Sequence, residues 1–255
     1  MNNKSFDSER IALGYANRPW IHKAVMEEIK KEYSTKCPFE NGLDVGCGAG
    51  LSTKALRLIC NHVTGSDISE AMINVCRTLY TDSTFNFYVS SAEKTREPKQ
   101  KYDIVTAAGM VNWVDKDLLL DRMHEVMQKN GFLIIYDFWI TDRMTGKSAY
   151  TDWYHNQYLK VFPKPPRKEN VWQQEEMGEN FRILKQTVYE VPWIFTLEQF
   201  IDFMMIQSNV NSRIESGEKT VSEVYEWMKN SLSPIFDGTE QTLWFDGYCW
   251  YIEHK

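Results

Sequence analysis

The segment Asp44-Val45-Gly46-Cys47-Gly48-Ala49-Gly50 carries the residue types best able to hold a ligand. Glycines let the chain turn sharply and let a ligand touch the backbone. A helix beginning just after such a turn offers unpaired N–H groups to a polar or anionic group. The spacing is G-x-G-x-G, and Leu51 stands where a dinucleotide fingerprint would need a further glycine. Asp44 lies two residues before Gly46. A carboxylate there repels a pyrophosphate and suits a cationic ligand end, such as an amino group. Asp67 follows Gly48 by 19 residues and closes the next β-type run, where a carboxylate can accept both hydroxyls of a ribose. Ser91-Ala92-Glu93 follows a third such run, and a polar or acidic side chain there can meet an adenine amino group.

These residues need strands that end together. Residues 42–45, 62–67, 85–89, 102–108 and 132–138 read as five strands, the last apolar apart from Asp137 and so buried on both faces. Helical spacing falls between them. Ser69 caps a helix with Met72, Val75, Cys76 and Leu79 on its inner face, and Asp115 caps another that Asn130-Gly131 closes. Helical spacing also begins at Pro19, with Ile21, Val25, Ile29 and Tyr33, while the first sixteen residues read as mainly polar and mobile until something orders them. Strands alternating with helices imply right-handed crossovers, a parallel sheet, and a ligand beyond the carboxyl ends of the strands. The fold class expected is α/β: a doubly wound, mostly parallel seven-stranded sheet with a helical insertion after the fifth strand. A sixth strand is placed loosely at 184–193 and a seventh at 242–252. Capping boxes at Thr196…Gln199 and Thr220…Glu223 open two further helices.

With these elements in place, the sequence resembles the class I S-adenosylmethionine-dependent methyltransferases, whose fold is Rossmann-like. More narrowly it is similar to their small-molecule branch, the type 11 and trans-aconitate-methyltransferase-like group. The resemblance covers roughly residues 15–138. It rests on Tyr15…Arg18-Pro19, the glycine loop with Asp44, Gly65-Ser66-Asp67-Ile68-Ser69, Ser91-Ala92-Glu93, and Tyr102-Asp103-Ile104-Val105…Asn112-Trp113-Val114-Asp115. It implies that Asp44, Gly46, Cys47 and Gly48 cradle the methionine end of S-adenosyl-L-methionine. Asp67 and Ile68 would meet the ribose side, Ser91, Ala92 and Glu93 the adenine, and Ala107 and Ala108 would flank the cofactor. Tyr15 and Arg18 would close over it. The chain departs from many relatives at Asn112, where they carry His, and from some at Ala108, where they carry a polar residue.

The acceptor side is less legible. Residues 140–180 are too long for an ordinary connection. They read as a lid or substrate insertion within one methyltransferase domain spanning 1–255. A helix is expected at 148–162, followed by a proline- and lysine-rich stretch at 163–168. Trp153, Tyr154 and Tyr158 there are candidates to face the substrate, and His155 is the candidate base. The plainer reading of the aromatic residues is core packing. Cys47 lacks a nearby base and reads as a small packing residue. No His/Cys/Asp cluster has metal-ligand spacing.

The chain has 255 residues, 43% of them hydrophobic, enough for a sizeable core. Its net charge of -6 argues against a dedicated nucleic-acid binder. No apolar run is long enough to span a membrane. Five cysteines, an odd number without a CxxC pair, and a polar start fit a reducing cytoplasm. The expectation is methyl transfer to a small-molecule acceptor by in-line displacement at the sulfonium methyl. The alternatives are a nicotinamide-dependent oxidoreductase and a non-catalytic adenosylmethionine-binding module.

Overall fold

Short runs of Val, Ile, Leu and Phe bounded by glycine or polar residues become the inner strands. A computed structural model describes residues 8–96, 98–164 and 171–255. The described residues form one seven-stranded sheet in the order β3-β2-β1-β4-β5-β7-β6. Its strands are β1 (Phe39–Val45), β2 (Cys60–Asp67), β3 (Phe85–Val89), β4 (Tyr102–Ala108), β5 (Met127–Met144), β6 (Phe181–Phe195) and β7 (Gln241–His254). The pairs β1–β2, β1–β4, β2–β3 and β4–β5 are parallel. Strand β7 runs antiparallel to both β5 and β6. The carboxyl ends of β1, β2 and β4 therefore meet at the switch point, where ligands bind in such sheets.

Helices α2 (His22–Glu32) and α3 (Leu51–Leu56) cover one face through Val25, Met26, Ile29, Ala55 and Leu56. Helix α5 (Lys116–Val126) covers the other through Leu119, Met123 and Val126. Ser69 and Asp115 accept backbone N–H bonds as N-caps of α4 (Glu70–Leu79) and α5. Both expected capping boxes form, at the starts of α8 (Leu197–Met205) and α10 (Val221–Phe236), with α9 (Ser208–Glu215) between them.

The start of the chain differs from its polar appearance. Ser8 caps α1 (Glu9–Ala16), which buries Ile11 and Ala12 against α4. Too few apolar residues mark this helix in sequence, and its order comes from docking rather than propensity. Strand β5 continues six residues past 138, and β6 is longer than the alternation suggested. Along β6 every second residue is exposed, as an edge strand permits.

Residues 140–144 thus belong to β5, and the expected helix is α6 (Ser148–Trp153), a π-turn over Tyr154–Tyr158, and α7 (Leu159–Val161). This segment packs with α8 and α10 in an aromatic cluster that includes Tyr150, Trp153, Tyr158, Phe162, Phe200 and Phe236. Residues 165–168 of the expected proline- and lysine-rich stretch lie outside the described residues. No helix among the described residues is long and apolar enough to cross a membrane.

Candidate functional site

Strand β1 delivers the chain into Gly46, Gly48 and Gly50, whose φ angles are +65°, +52° and +88°. A side chain is strained in that region, so the loop conformation requires glycine. An added Cβ at Gly46 would lie 2.7 Å from Met110 Cγ, so the loop touches the segment leaving β4. At Gly48 the space is open except for Tyr15 Cδ1 at 3.8 Å. The Tyr15 ring therefore roofs a cradle that a Cβ would fill. The Arg18 guanidinium lies 4.7 Å from the Tyr15 ring centroid and 5.3 Å from that of Phe203.

Asp67, at the end of β2, ties this cradle down. Its Oδ2 accepts the Gly48 N–H at 2.8 Å and its Oδ1 accepts the Ser69 N–H at 2.9 Å. The next side chain, Ile68, is 54% exposed and offers an apolar face beside the carboxylate. Ser91 precedes a 3-10 turn over Ala92–Lys94, with Ala92 buried and Glu93 half-buried. On β4, Ala107 is buried and Ala108 half-buried. Gly109 then turns at φ +65°, and its N–H donates to the Tyr136 carbonyl at 2.8 Å.

Asp44 has no exposed surface. Its Oδ2 accepts the hydroxyls of Ser52 (2.6 Å) and Thr53 (2.7 Å), and its Oδ1 accepts that of Thr106 (2.8 Å). Burial pushes its carboxyl up to about 6, against the lowering effect of those hydroxyls, and Asp67 adds to the rise. The carboxylate thus stands behind the loop rather than on its surface. Cys47 is buried too, and its thiol is pushed well above the usual range by burial. Cys47 Sγ and Cys76 Sγ both donate to the Gly48 carbonyl, at 3.6 and 3.2 Å. That arrangement suits packing and does not suit a nucleophile.

Three of the four residues expected on the acceptor side are packed into the aromatic cluster. Trp153 and Tyr158 have no exposed surface. The Trp153 indole donates to Ser231 Oγ at 2.9 Å, and Tyr158 shares hydrogen bonds with the buried Asn209. Tyr154 is nearly buried and accepts a bond from Lys164. His155 is exposed, with Nε2 2.8 Å from Asp142 Oδ2. The physical reason is the length of β5. It leads into α6, whose aromatic residues meet α8 and α10.

Sequence reasoning passed over a different histidine. His22 opens α2, and its Nδ1 lies 3.1 Å from the hydroxyl of Tyr136 on β5. Burial, with Arg18 nearby, pushes the imidazole down to about 3, so it is neutral at ordinary pH. In sequence it is one of five histidines; only the fold brings it beside Tyr136, which pairs with Ala108 at the end of β4. Two surface crevices of about 290 and 470 Å³ open toward the amino ends of the strands. They are lined by groups such as Lys36 and Asp103, or Arg96 and Lys99. Neither touches the glycine loop, and the convergence of carboxylate, positive-φ backbone and roofing aromatic locates the site better than crevice size does.

Residues 43–135 match the family described as "Methyltransferase domain". A methyltransferase of Dictyostelium discoideum is 22% identical over 182 residues, 70% of this chain and 68% of its own length. A ubiquinone biosynthesis O-methyltransferase of Hydrogenovibrio crunogenus is 36% identical over 75 residues, 28% of this chain. The match spans only 31% of that relative's length. Among solved structures, a type II methyltransferase of Anaeromyxobacter dehalogenans superposes with a TM-score of 0.69 at 18% identity. The superposition covers 91% of this chain and 95% of that one. Over residues 43–135 the chain is thus similar to a methyltransferase domain, and its fold is that of solved methyltransferase structures.

Proposed function

We propose that the protein transfers the methyl group of S-adenosyl-L-methionine to a small-molecule acceptor, with the donor held at the carboxyl ends of β1, β2 and β4. The observation that carries this is the cradle at Gly48, roofed by Tyr15 and anchored by Asp67. Bound there, the sulfonium supplies an already activated leaving group, so alignment provides much of the rate.

The protein's own groups then have distinct tasks. Asp67 exchanges part of its backbone bonding for the ribose hydroxyls, and Ile68 with Ala92 and Glu93 borders the adenine. The backbone of Gly46 and Gly48 touches the methionine end, beside Ala107 and Ala108. Asp44 attracts the cationic donor through its charge, without direct contact. Tyr15 and Arg18 close the mouth. Leu51 in the third-glycine position and the carboxylate behind the loop weigh against a nicotinamide ligand. The O-methyltransferase name of the Hydrogenovibrio crunogenus relative favours an oxygen acceptor here. Five free thiols support a reducing compartment such as the cytoplasm.

The test is incubation of the purified protein with methyl-labelled S-adenosylmethionine and a metabolite panel of phenols, alcohols, carboxylates and amines. Label appearing in one acceptor class supports the proposal. Donor binding with no label transferred to any class indicates the non-catalytic module instead.

A further inference from the structure

The segment joining α1 to α2 is pinned to the glycine loop on both sides of one charged residue. Before Arg18, the Tyr15 ring lies over Gly48, with Cδ1 3.8 Å from where a Cβ would stand. After it, the Trp20 indole donates to the Leu51 carbonyl at 2.9 Å. Pro19 between them is buried. Arg18 is thereby held beside the loop, half-buried, with its guanidinium over the rings of Tyr15 and Phe203. Phe203 sits on α8 and belongs to the aromatic cluster of the antiparallel half. The cation therefore stands where the donor loop and the helical cluster meet.

Ring faces attract a cation, but they offer its five N–H groups no lone pair. Arg10, Arg57, Arg122, Arg143 and Arg213 are half-buried too, and each donates to a side-chain or backbone oxygen. The Arg18 guanidinium meets no such oxygen among the described residues; its contacts are the two rings. The neighbouring charges are otherwise engaged. Asp44 is enclosed by three hydroxyls, and Asp67 accepts the N–H groups of Gly48 and Ser69. Burial and the Arg18 charge keep His22 neutral, so it adds no second cation.

We propose that Arg18 recognises a carboxylate on the methyl acceptor, which makes the substrates of this protein anionic. This rests on the methyl-transfer reading above and names its substrate class. A planar guanidinium fits a carboxylate through two parallel N–H bonds, which fix orientation as well as position. One guanidinium matches one negative charge, that of a carboxylate rather than of a phosphate dianion. The two rings hold the fork in place, so little side-chain freedom is lost when the acceptor arrives. With its carboxylate held at the mouth, the acceptor turns its other end toward the sulfonium methyl. A cationic acceptor is repelled at the same point by both the guanidinium and the sulfonium.

The experiment has a binding arm and a turnover arm. In the first, protein saturated with S-adenosylhomocysteine is titrated calorimetrically with benzoate, 4-hydroxybenzoate and lactate, and with benzamide, 4-hydroxybenzamide and lactamide as neutral counterparts. At least one carboxylate should bind about tenfold or more tighter than its amide. Arg18→Gln should abolish that preference, and Arg18→Lys, which keeps the charge without the fork, should restore part of it. Circular dichroism and Tm confirm that both variants are folded, and S-adenosylhomocysteine affinity should stay within about threefold of wild type. In the second arm, any labelled acceptor bearing a carboxylate is turned over by wild type and Arg18→Gln. KM should rise about tenfold or more with kcat little changed, the pattern of lost substrate binding. No preference for any carboxylate over its amide, or a preference that survives in Arg18→Gln, overturns the assignment. A tenfold loss of S-adenosylhomocysteine affinity in Arg18→Gln also overturns it, by giving the guanidinium to the donor's own carboxylate. Methylation of neutral or cationic acceptors alone overturns it and leaves the methyl-transfer reading intact. Carboxylate binding that depends on Arg18, with no transfer to any compound, keeps the anion site and removes the methyl-transfer reading.

Discussion

Asp67 and Asp44 are both carboxylates at strand ends, but their surroundings give them different tasks. Asp67 holds the loop through the Gly48 N–H and stays within reach of a ligand. Replacing it with alanine should weaken S-adenosylhomocysteine binding by about 1–3 kcal/mol, the scale of lost charge-assisted bonds. Wild-type affinity by calorimetry would remove Asp67 from the ribose site. Asp44 is saturated by three hydroxyls and raised to about 6, above the ordinary carboxylate value of 3.8. The folded state therefore binds its proton more tightly than the unfolded chain. Its stabilising contribution is complete below about pH 4 and is lost as pH rises through about 6, by about 3 kcal/mol. Urea unfolding of wild type and Asp44→Asn between pH 4 and 7 should show that slope in the first and not in the second. A cationic donor favours the ionised carboxylate, so wild-type affinity for S-adenosylmethionine should fall below about pH 6, and that fall should be absent in Asp44→Asn. Parallel profiles in both proteins would contradict the electrostatic role.

Among the elements, those with local signals were readable and those made by tertiary contact were not. Gly46 to Gly50, the caps Ser69 and Asp115, and the boxes at Thr196 and Thr220 each act over a few residues, so spacing reveals them. Helix α1 has only Ile11 and Ala12 to bury, and its partners in α4 and at Ile206 are distant in sequence. A Cβ at Gly14 would come within 2.5 Å of Ile206 Cγ2. Gly14→Val should therefore lift α1, displace the Tyr15 roof and raise the donor Kd, while circular dichroism of the sheet is retained. Unchanged donor affinity would mean that α1 does not close the site. The aromatic helix α6 was legible as a helix, but its destination was not, because core and pocket both call for Trp and Tyr. Trp153 is wholly buried with its indole bonded to Ser231. Trp153→Ala should cost about 3–5 kcal/mol of stability, with donor affinity little changed in protein that remains folded. Lost methyl transfer with an unchanged Tm would instead put Trp153 in the acceptor pocket.

At the scale of the molecule, one sheet joins two kinds of packing. Its parallel half positions the donor loop. The antiparallel β5–β7–β6 half carries the aromatic helical cluster on strands longer than their apolar pattern suggested. The first half follows from period and glycine placement. The second depends on how far β5 runs beyond Asp137, which local composition does not fix. The donor binds the folded chain, so it should also raise Tm by mass action. The most direct measurement is calorimetric titration of the purified protein with S-adenosylhomocysteine and with NAD, repeated on Gly48→Val. Expected is one S-adenosylhomocysteine site per chain, no heat with NAD, and no binding by the folded Gly48→Val variant, whose side chain fills the cradle beneath Tyr15. Binding of NAD in place of S-adenosylhomocysteine, or wild-type affinity in Gly48→Val, would contradict a methyl-donor site on this loop.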